Sequence, residues 1–313
     1  MKILLTGSTG FIGRRTSALL TFRGHQVTNV VRSHSGDSSN SMVMDSLDGG
    51  NDWTAALRDK DIVIHTAALA HSRAKVSSSD ELSDDVYRVN VAATANLARQ
   101  AGEAGVRRFI FISSIGVNGF VNDKPFTESD LENPCDHYAR SKFEAEKQLW
   151  EVARQSNMEV VIIRPPLVYG RNAPGNFGTL VRLVEKRIPL PLGAVNNTRS
   201  LVALDNLVDL IITCINHPEA RNEVFFAGDG EDLSTTELLR AVGQAKGKPA
   251  LLIPVPAGIL MFVARLFGKK VAAQRVLGSL QVDISKARSR LGWEPPLTVQ
   301  EGIRRCFISE NNF

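Results

Sequence analysis

Thr6-Gly7-Ser8-Thr9-Gly10-Phe11-Ile12-Gly13 is the stretch whose reading settles the fold. It lies between an apolar run, Lys2–Thr6, and a stretch of helical character, Thr16–Arg23. Glycines at a strand-to-helix turn let the backbone approach a ligand closely. The helix beyond then offers free N–H groups and the positive end of its dipole to an anion. Outward from this turn the alternation continues. Gln26–Val31 is β-branched, Asp61–Thr66 apolar, Val86–Glu103 Ala-rich and helical, Arg108–Ser113 strand-like, Ala139–Gln155 helical and Val160–Arg164 strand-like. Strands and helices alternating at this spacing predict an α/β fold, a doubly wound parallel sheet with helices on both faces. Its place at the first βα turn of such a chain favours a dinucleotide cradle over a glycine-rich turn with no ligand.

The 313 residues are 43% hydrophobic and 22% charged, which excludes collagen-like, coiled-coil and wholly disordered chains. A net charge of +4 admits an anionic ligand and gives no reason to expect nucleic acid. Cys135, Cys214 and Cys306 have neither paired nor metal-ligand spacing, so no metal and a reducing, cytoplasmic setting are expected. Ile3-Leu4-Leu5 is too short for a signal peptide. The longest apolar stretch, Ala257–Phe267, is interrupted by Arg265 and is too short for an integral membrane segment. It reads as a buried amphipathic helix. Lys269-Lys270 permits a membrane-surface contact, which is not the expectation.

The second half is punctuated by Pro and Gly clusters, and a soft boundary falls near Arg164–Gly170. Residues 1–169 are expected to form the dinucleotide-binding domain and 170–313 mainly the substrate domain. Leu201–Ile215 (a helix) and Glu223–Ala227 (a strand) are expected to return to the first domain, giving return segments near 201–227. Ser33–Ser41 and Ser77–Ser79 read as mobile surface loops.

The glycine spacing is Gly-x-x-Gly-x-x-Gly. Here the chain resembles the extended, nucleotide-sugar-modifying branch of the short-chain dehydrogenase/reductase superfamily, over essentially its whole length. The resemblance implies a Rossmann-type sheet with a smaller C-terminal α/β substrate domain. It implies cofactor contacts from Gly7, Thr9, Gly10, Phe11, Ile12 and Gly13, from Asp45 and Ser46 after the third strand, and from Ala67 and Ala68 after the fourth. Asn90 matches a structural asparagine of the central helix, and Pro165 belongs to Arg164-Pro165-Pro166-Leu167-Val168-Tyr169-Gly170, a motif that lines nicotinamide and sugar. His71 reads as a solvated loop residue. An acidic residue ~20 residues past the glycines normally takes the ribose hydroxyl in NAD enzymes. This chain has no Asp or Glu before Asp37, and Arg14, Arg15 and Arg32 lie nearby. A positive pocket without a carboxylate suits a 2′-phosphate, so NADP(H) is expected in preference to NAD(H).

Tyr138 and Lys142 are four apart, on one face of a helix. A neighbouring ammonium favours phenolate, and lowering a tyrosine pKa by ~3 units takes ~4 kcal/mol. The resemblance makes Tyr138 the acid/base, Lys142 its partner and a ribose ligand, and Ser114 the catalytic serine of Ile110-Phe111-Ile112-Ser113-Ser114. The chain departs from many relatives in having Gly116-Val117-Asn118-Gly119 where Thr-Val-Tyr-Gly is common. On the sugar side, Asn176 and Arg199 match residues that hold substrate diphosphate, with Arg275 a further candidate. Asp283-Ile284-Ser285-Lys286 and Leu291-Gly292-Trp293 resemble the family's C-terminal signature, Trp293 being core. Gly228–Ser234 and Leu277–Asp283 resemble bacterial polysaccharide reductases that form UDP-N-acetylquinovosamine.

Three functions follow as expectations. The first is reduction of a UDP-4-keto-6-deoxy-N-acetylhexosamine in surface polysaccharide synthesis. The second is 4-epimerisation of a UDP-hexose or UDP-N-acetylhexosamine. The third, of another class, is a non-catalytic dinucleotide sensor. A homodimer seamed by Val86–Glu103 and Ala139–Gln155 is also implied.

Overall fold

Strands apolar at every position must be buried on both faces. The computed structural model, which describes residues 1–33, 40–70 and 84–308, stacks them that way. Seven parallel strands run in the order β3 (Ser41–Val43), β2 (Gln26–Val31), β1 (Lys2–Thr6), β4 (Ile62–His65), β5 (Arg108–Ile112), β6 (Glu159–Arg164) and β9 (Glu223–Phe226). Ile62–His65 and Arg108–Ile112 are buried throughout. One face of the sheet is covered by α1 (Phe11–Phe22) and α6 (Leu204–Asn216), the other by α3 (Ala93–Glu103) and α4 (His137–Gln155), with the short α2 (Thr54–Leu57) beside them. A π-helical turn, Arg88–Ala92, leads into α3. The alternation of the first half is thus observed, and the chain is α/β with a parallel Rossmann sheet.

A second, smaller sheet is mixed. β7 (Leu167–Tyr169) pairs parallel with β8 (Arg199–Ala203), and β8 pairs antiparallel with β10 (Asp232–Leu233). Around it lie α5 (Gly175–Glu185), α7 (Thr235–Ala245), α8 (Ala257–Leu266), α9 (Lys270–Leu277), α10 (Ser285–Leu291) and α11 (Val299–Arg305). The core of this part joins Tyr169, Phe177, Leu201, Leu239 and Val299. Trp293 is buried, its indole N–H donating to Asp209 Oδ2 at 3.1 Å.

Two sequence expectations are corrected. Leu201–Ala203 is strand, not the start of a helix, because its backbone pairs with Leu167–Tyr169; the helix begins at Leu204. The helix Ala257–Leu266 forms but buries no residue. Its apolar side chains have the period of a core helix, yet it packs chiefly on its neighbour α9. Residues 34–39 of the serine-rich stretch, Ser77–Ser79 and His71 lie outside the described residues. Among the described residues no helix is long and apolar enough to cross a membrane, and no cluster of metal-ligating side chains occurs.

Candidate active site

The glycine turn closes over itself because it has no side chains in the way. Gly7 has φ +75°, and a Cβ there would lie 2.6 Å from Ala67 N and from Thr66 Oγ1. A Cβ on Gly13 would lie 2.2 Å from Gly7 O. Gly10 N donates to Gly7 O at 2.8 Å. Gly10 is also the N-cap of α1 and supplies no capping side chain, so the first N–H groups of the helix, from Phe11 to Gly13, face the turn. A turn of this shape suits the diphosphate of a dinucleotide. Thr9 is exposed beside it, Ala68 is exposed at the end of β4, and Ala67 is buried against Gly7.

The second strand ends at Val31, and Arg32 is exposed just beyond it. Asp45 and Ser46 are exposed just past β3, where the Ser46 hydroxyl donates to Asp48 Oδ2 at 3.1 Å. The expectation that Arg15 is available beside them is corrected. Its Nε donates to Asp205 Oδ1 at 2.6 Å, an ion pair that joins α1 to α6. Arg14 and Arg32 remain exposed.

Ser114, Tyr138 and Lys142 are brought together at the C-terminal end of β5. Asp136 caps α4, its Oδ1 accepting from Ala139 N at 2.6 Å, and this sets the start of the helix that presents Tyr138. Lys142 is buried, donates from Nζ to Ile112 O at 2.8 Å and stands 4.3 Å from the centre of the Phe111 ring and 6.0 Å from that of Tyr138. Ser114, two residues past Ile112, is half-buried, and its Oγ accepts from Gly116 N at 3.1 Å. A Cβ on Gly116 would lie 3.3 Å from Ser114 Oγ and 3.4 Å from Ala139 Cβ, so this glycine lets the serine turn sit against α4.

The acidities differ from the expectation drawn from spacing. Burial, reinforced by the charge of Asp136, raises Tyr138 to about 12. Burial lowers Lys142 to about 7, with Glu146 pulling the other way. The physical reason is that desolvation outweighs the pairing. A lysine that titrates near neutrality supplies little charge to a phenolate, and its ammonium is directed at a backbone carbonyl.

Asn90 is buried and tied to structure. It accepts from Leu69 N at 2.7 Å and donates to Ser141 Oγ at 3.0 Å, fastening the segment after β4 to α4. Sequence reasoning missed a buried network beneath the site. Ser113 donates to Glu146, whose carboxylate pairs with Arg164 at 2.5 Å; Arg164 also reaches Asn118 Oδ1 at 2.9 Å and Glu132 at 3.0 Å. Asn118, at the departure from Thr-Val-Tyr-Gly, is thus a partner of Arg164. The available signal was Glu146, four residues beyond Lys142 as Lys142 is beyond Tyr138. Pro165 is buried next to Arg164, and its carbonyl accepts from Ile115 N at 3.0 Å.

On the other side, Arg199 Nη1 donates to Gly278 O at 2.9 Å, and burial pushes its guanidinium pKa down. Arg275 Nη2 donates to Asp136 Oδ2 at 2.6 Å, its guanidinium 4.4 Å from the Phe120 ring centre. Its Nε is buried without a hydrogen-bond partner among the described residues. Arg199 is thus tied to the residue that ends α9, and Arg275, in the last turn of α9, to the cap of the tyrosine helix. Asn176 is exposed in the first turn of α5.

Residues 3–228 match the model of the NAD dependent epimerase/dehydratase family. The chain belongs to this family. Among similar proteins, a UDP-glucose 4-epimerase of Vibrio cholerae is 45% identical over 99% of this chain and 97% of its own length. An N-acetyl-α-D-glucosaminyl-diphospho-ditrans,octacis-undecaprenol 4-epimerase of Escherichia coli O157:H7 is 28% identical over 99% of this chain and 95% of its own. The solved UDP-N-acetylglucosamine 4-epimerase from Bacillus cereus superposes with a TM-score of 0.80 at 22% identity, covering 98% of each chain. As an enzyme of the epimerase/dehydratase family, this protein uses a nicotinamide dinucleotide, and the glycine cradle fits one.

Proposed function

We propose that this enzyme is a 4-epimerase of a UDP-hexose or UDP-N-acetylhexosamine. The observation that carries the reading is the grouping of Ser114 and Lys142 at the end of β5 with Tyr138 on the helix that carries Lys142, two strands from the glycine turn that follows β1, in a chain 45% identical to a UDP-glucose 4-epimerase. The bound dinucleotide supplies hydride exchange at C4. The cradle from Gly7 to Gly13 holds its diphosphate, and Lys142 binds its ribose. Tyr138 takes the proton from the C4 hydroxyl and later returns it. Ser114 Oγ turns from Gly116 N to orient the sugar oxygen. The unpartnered Nε of Arg275 and the desolvated guanidinium of Arg199 suit the substrate diphosphate, since arginine forks pair with phosphate oxygens. The Tyr/Lys pair argues against a non-catalytic sensor.

A second reading, reduction of a UDP-4-keto-6-deoxy-N-acetylhexosamine with NADPH, is favoured by one observation. No carboxylate occurs before Asp37, and Arg14 and Arg32 are exposed. The two readings part at the cofactor. An epimerase is expected to purify with NAD(H) that survives gel filtration, identified in the supernatant of the denatured protein. It then interconverts UDP-glucose and UDP-galactose, or their N-acetyl forms, without added cofactor. Protein free of nucleotide, binding NADPH more tightly than NADH and turning over only a keto-sugar, overturns the epimerase in favour of the reductase.

A further inference from the structure

Helix α8 presents Ile259, Phe262, Val263 and Leu266 at i, i+3, i+4 and i+7 spacing, so they share one face. Phe267 and Val271 extend that face toward α9. All six are exposed, from 43% at Val263 to 75% at Phe267. Folded monomers seldom leave large side chains bare in so continuous a patch without a use for it. The charge of this stretch of chain has a single sign. No Asp or Glu occurs between Glu237 and Asp283, while that interval holds seven Lys and Arg residues. Three of them, Arg265, Lys269 and Lys270, are exposed within the patch itself.

We propose that the α8–α9 hairpin docks this enzyme on an anionic lipid bilayer. A ten-residue helix is ~15 Å long, too short to span the hydrocarbon core but suited to lying in the headgroup region. There the apolar face enters the acyl boundary, and Arg265, Lys269 and Lys270 meet lipid phosphates. Charge complementarity selects this occupant over a second copy of the chain. A two-fold contact would set the same cationic patches against each other, with no acidic residue of the hairpin to answer them. The hairpin's far end is Arg275, which donates to the Asp136 cap of the tyrosine helix. Docking therefore places the candidate sugar site beside the membrane surface. The inference is independent of which sugar reaction the enzyme performs.

The test is co-sedimentation of the full chain with vesicles of phosphatidylglycerol and phosphatidylcholine, and with vesicles of phosphatidylcholine alone. The mixed vesicles are expected to hold at least ~tenfold more protein, with binding falling as salt rises. Phe262→Asp with Leu266→Asp should reduce binding at least ~tenfold, and Lys269→Glu with Lys270→Glu should remove the preference for anionic lipid. All four positions are exposed, so thermal midpoint and dinucleotide binding should remain those of the unaltered protein, which separates lost docking from lost folding. Protein that stays in the supernatant with both vesicles overturns the proposal. So does binding that neither double variant changes. Conversion of a dimer to a monomer by Phe262→Asp, without vesicle binding, assigns the face to a second copy and overturns it as well.

Discussion

Tyr138→Phe is expected to lower turnover by ~10²–10⁴-fold, the usual contribution of general acid/base catalysis, with little change in dinucleotide affinity. The substitution removes one oxygen and leaves the ring in place. The cap of α4 is made by Asp136, not by Tyr138, so the helix start is kept. In the free protein burial and the charge of Asp136 hold the phenol near 12, where it is a poor base at neutral pH. Positive charge must therefore be brought to it. Lys142 titrates near 7 and lies within reach of the ring, so a bound anionic dinucleotide that raises Lys142 also brings ammonium charge to Tyr138. Lys142→Met should consequently weaken both cofactor binding and turnover, whereas Ser114→Ala should cost less than Tyr138→Phe. Steady-state kinetics on the UDP-sugar, with cofactor titration of each variant, distinguish these cases. Near-normal turnover in Tyr138→Phe would remove the residue from the proton-transfer role.

Much of this was legible where the cause is local. The glycine turn could be read because only glycine tolerates the approach of Thr66 and Ala67 to residue 7 and of Gly7 O to residue 13. The Tyr138–Lys142 pair could be read because helical spacing alone puts both on one face. What could not be read depends on partners distant in sequence. Arg15 looked free until the fold brought Asp205 to it from 190 residues away. Nothing in the sequence pairs Arg164 with Glu146, and they are buried because β6 and α4 close over them together. The helix at residues 257–266 has the apolar period of a core element, but periodicity says which side chains share a face and not what covers that face. The acidity of Tyr138 departs from what spacing suggests for a related reason. Spacing gives proximity, while burial sets the acidity of both groups.

Acid is expected to destabilise the enzyme through His65. Its ring is buried between two threonines, with Nδ1 2.6 Å from Thr6 Oγ1 and Nε2 2.9 Å from Thr94 Oγ1. Thr94 gives its single hydroxyl proton to Asn90 O at 2.8 Å, so it accepts from Nε2–H. Nδ1 is then the acceptor for Thr6, and protonating it deprives Thr6 of that acceptor. Burial, then the charge of Lys142, lowers the folded pKa to about 3 from 6.5. Because the folded value lies below the unfolded one, the unfolded chain binds the proton more readily between them. The stability carried by neutral His65 is complete above about pH 6.5 and is lost as the pH falls toward about 3. At ~1.4 kcal/mol per unit the full loss is on the order of 5 kcal/mol. Denaturant unfolding at a series of pH values, on the wild type and on His65→Gln, measures it. The amide does not titrate, so the variant should be the less stable at neutral pH, and the gap should narrow steadily as the pH falls. Thr6 is the residue immediately before Gly7, and Asn90 anchors the segment after β4. The same protonation should therefore weaken dinucleotide binding in acid before the chain unfolds. Stability curves for the two proteins that run parallel from pH 7 to pH 4 would show that His65 has no such role.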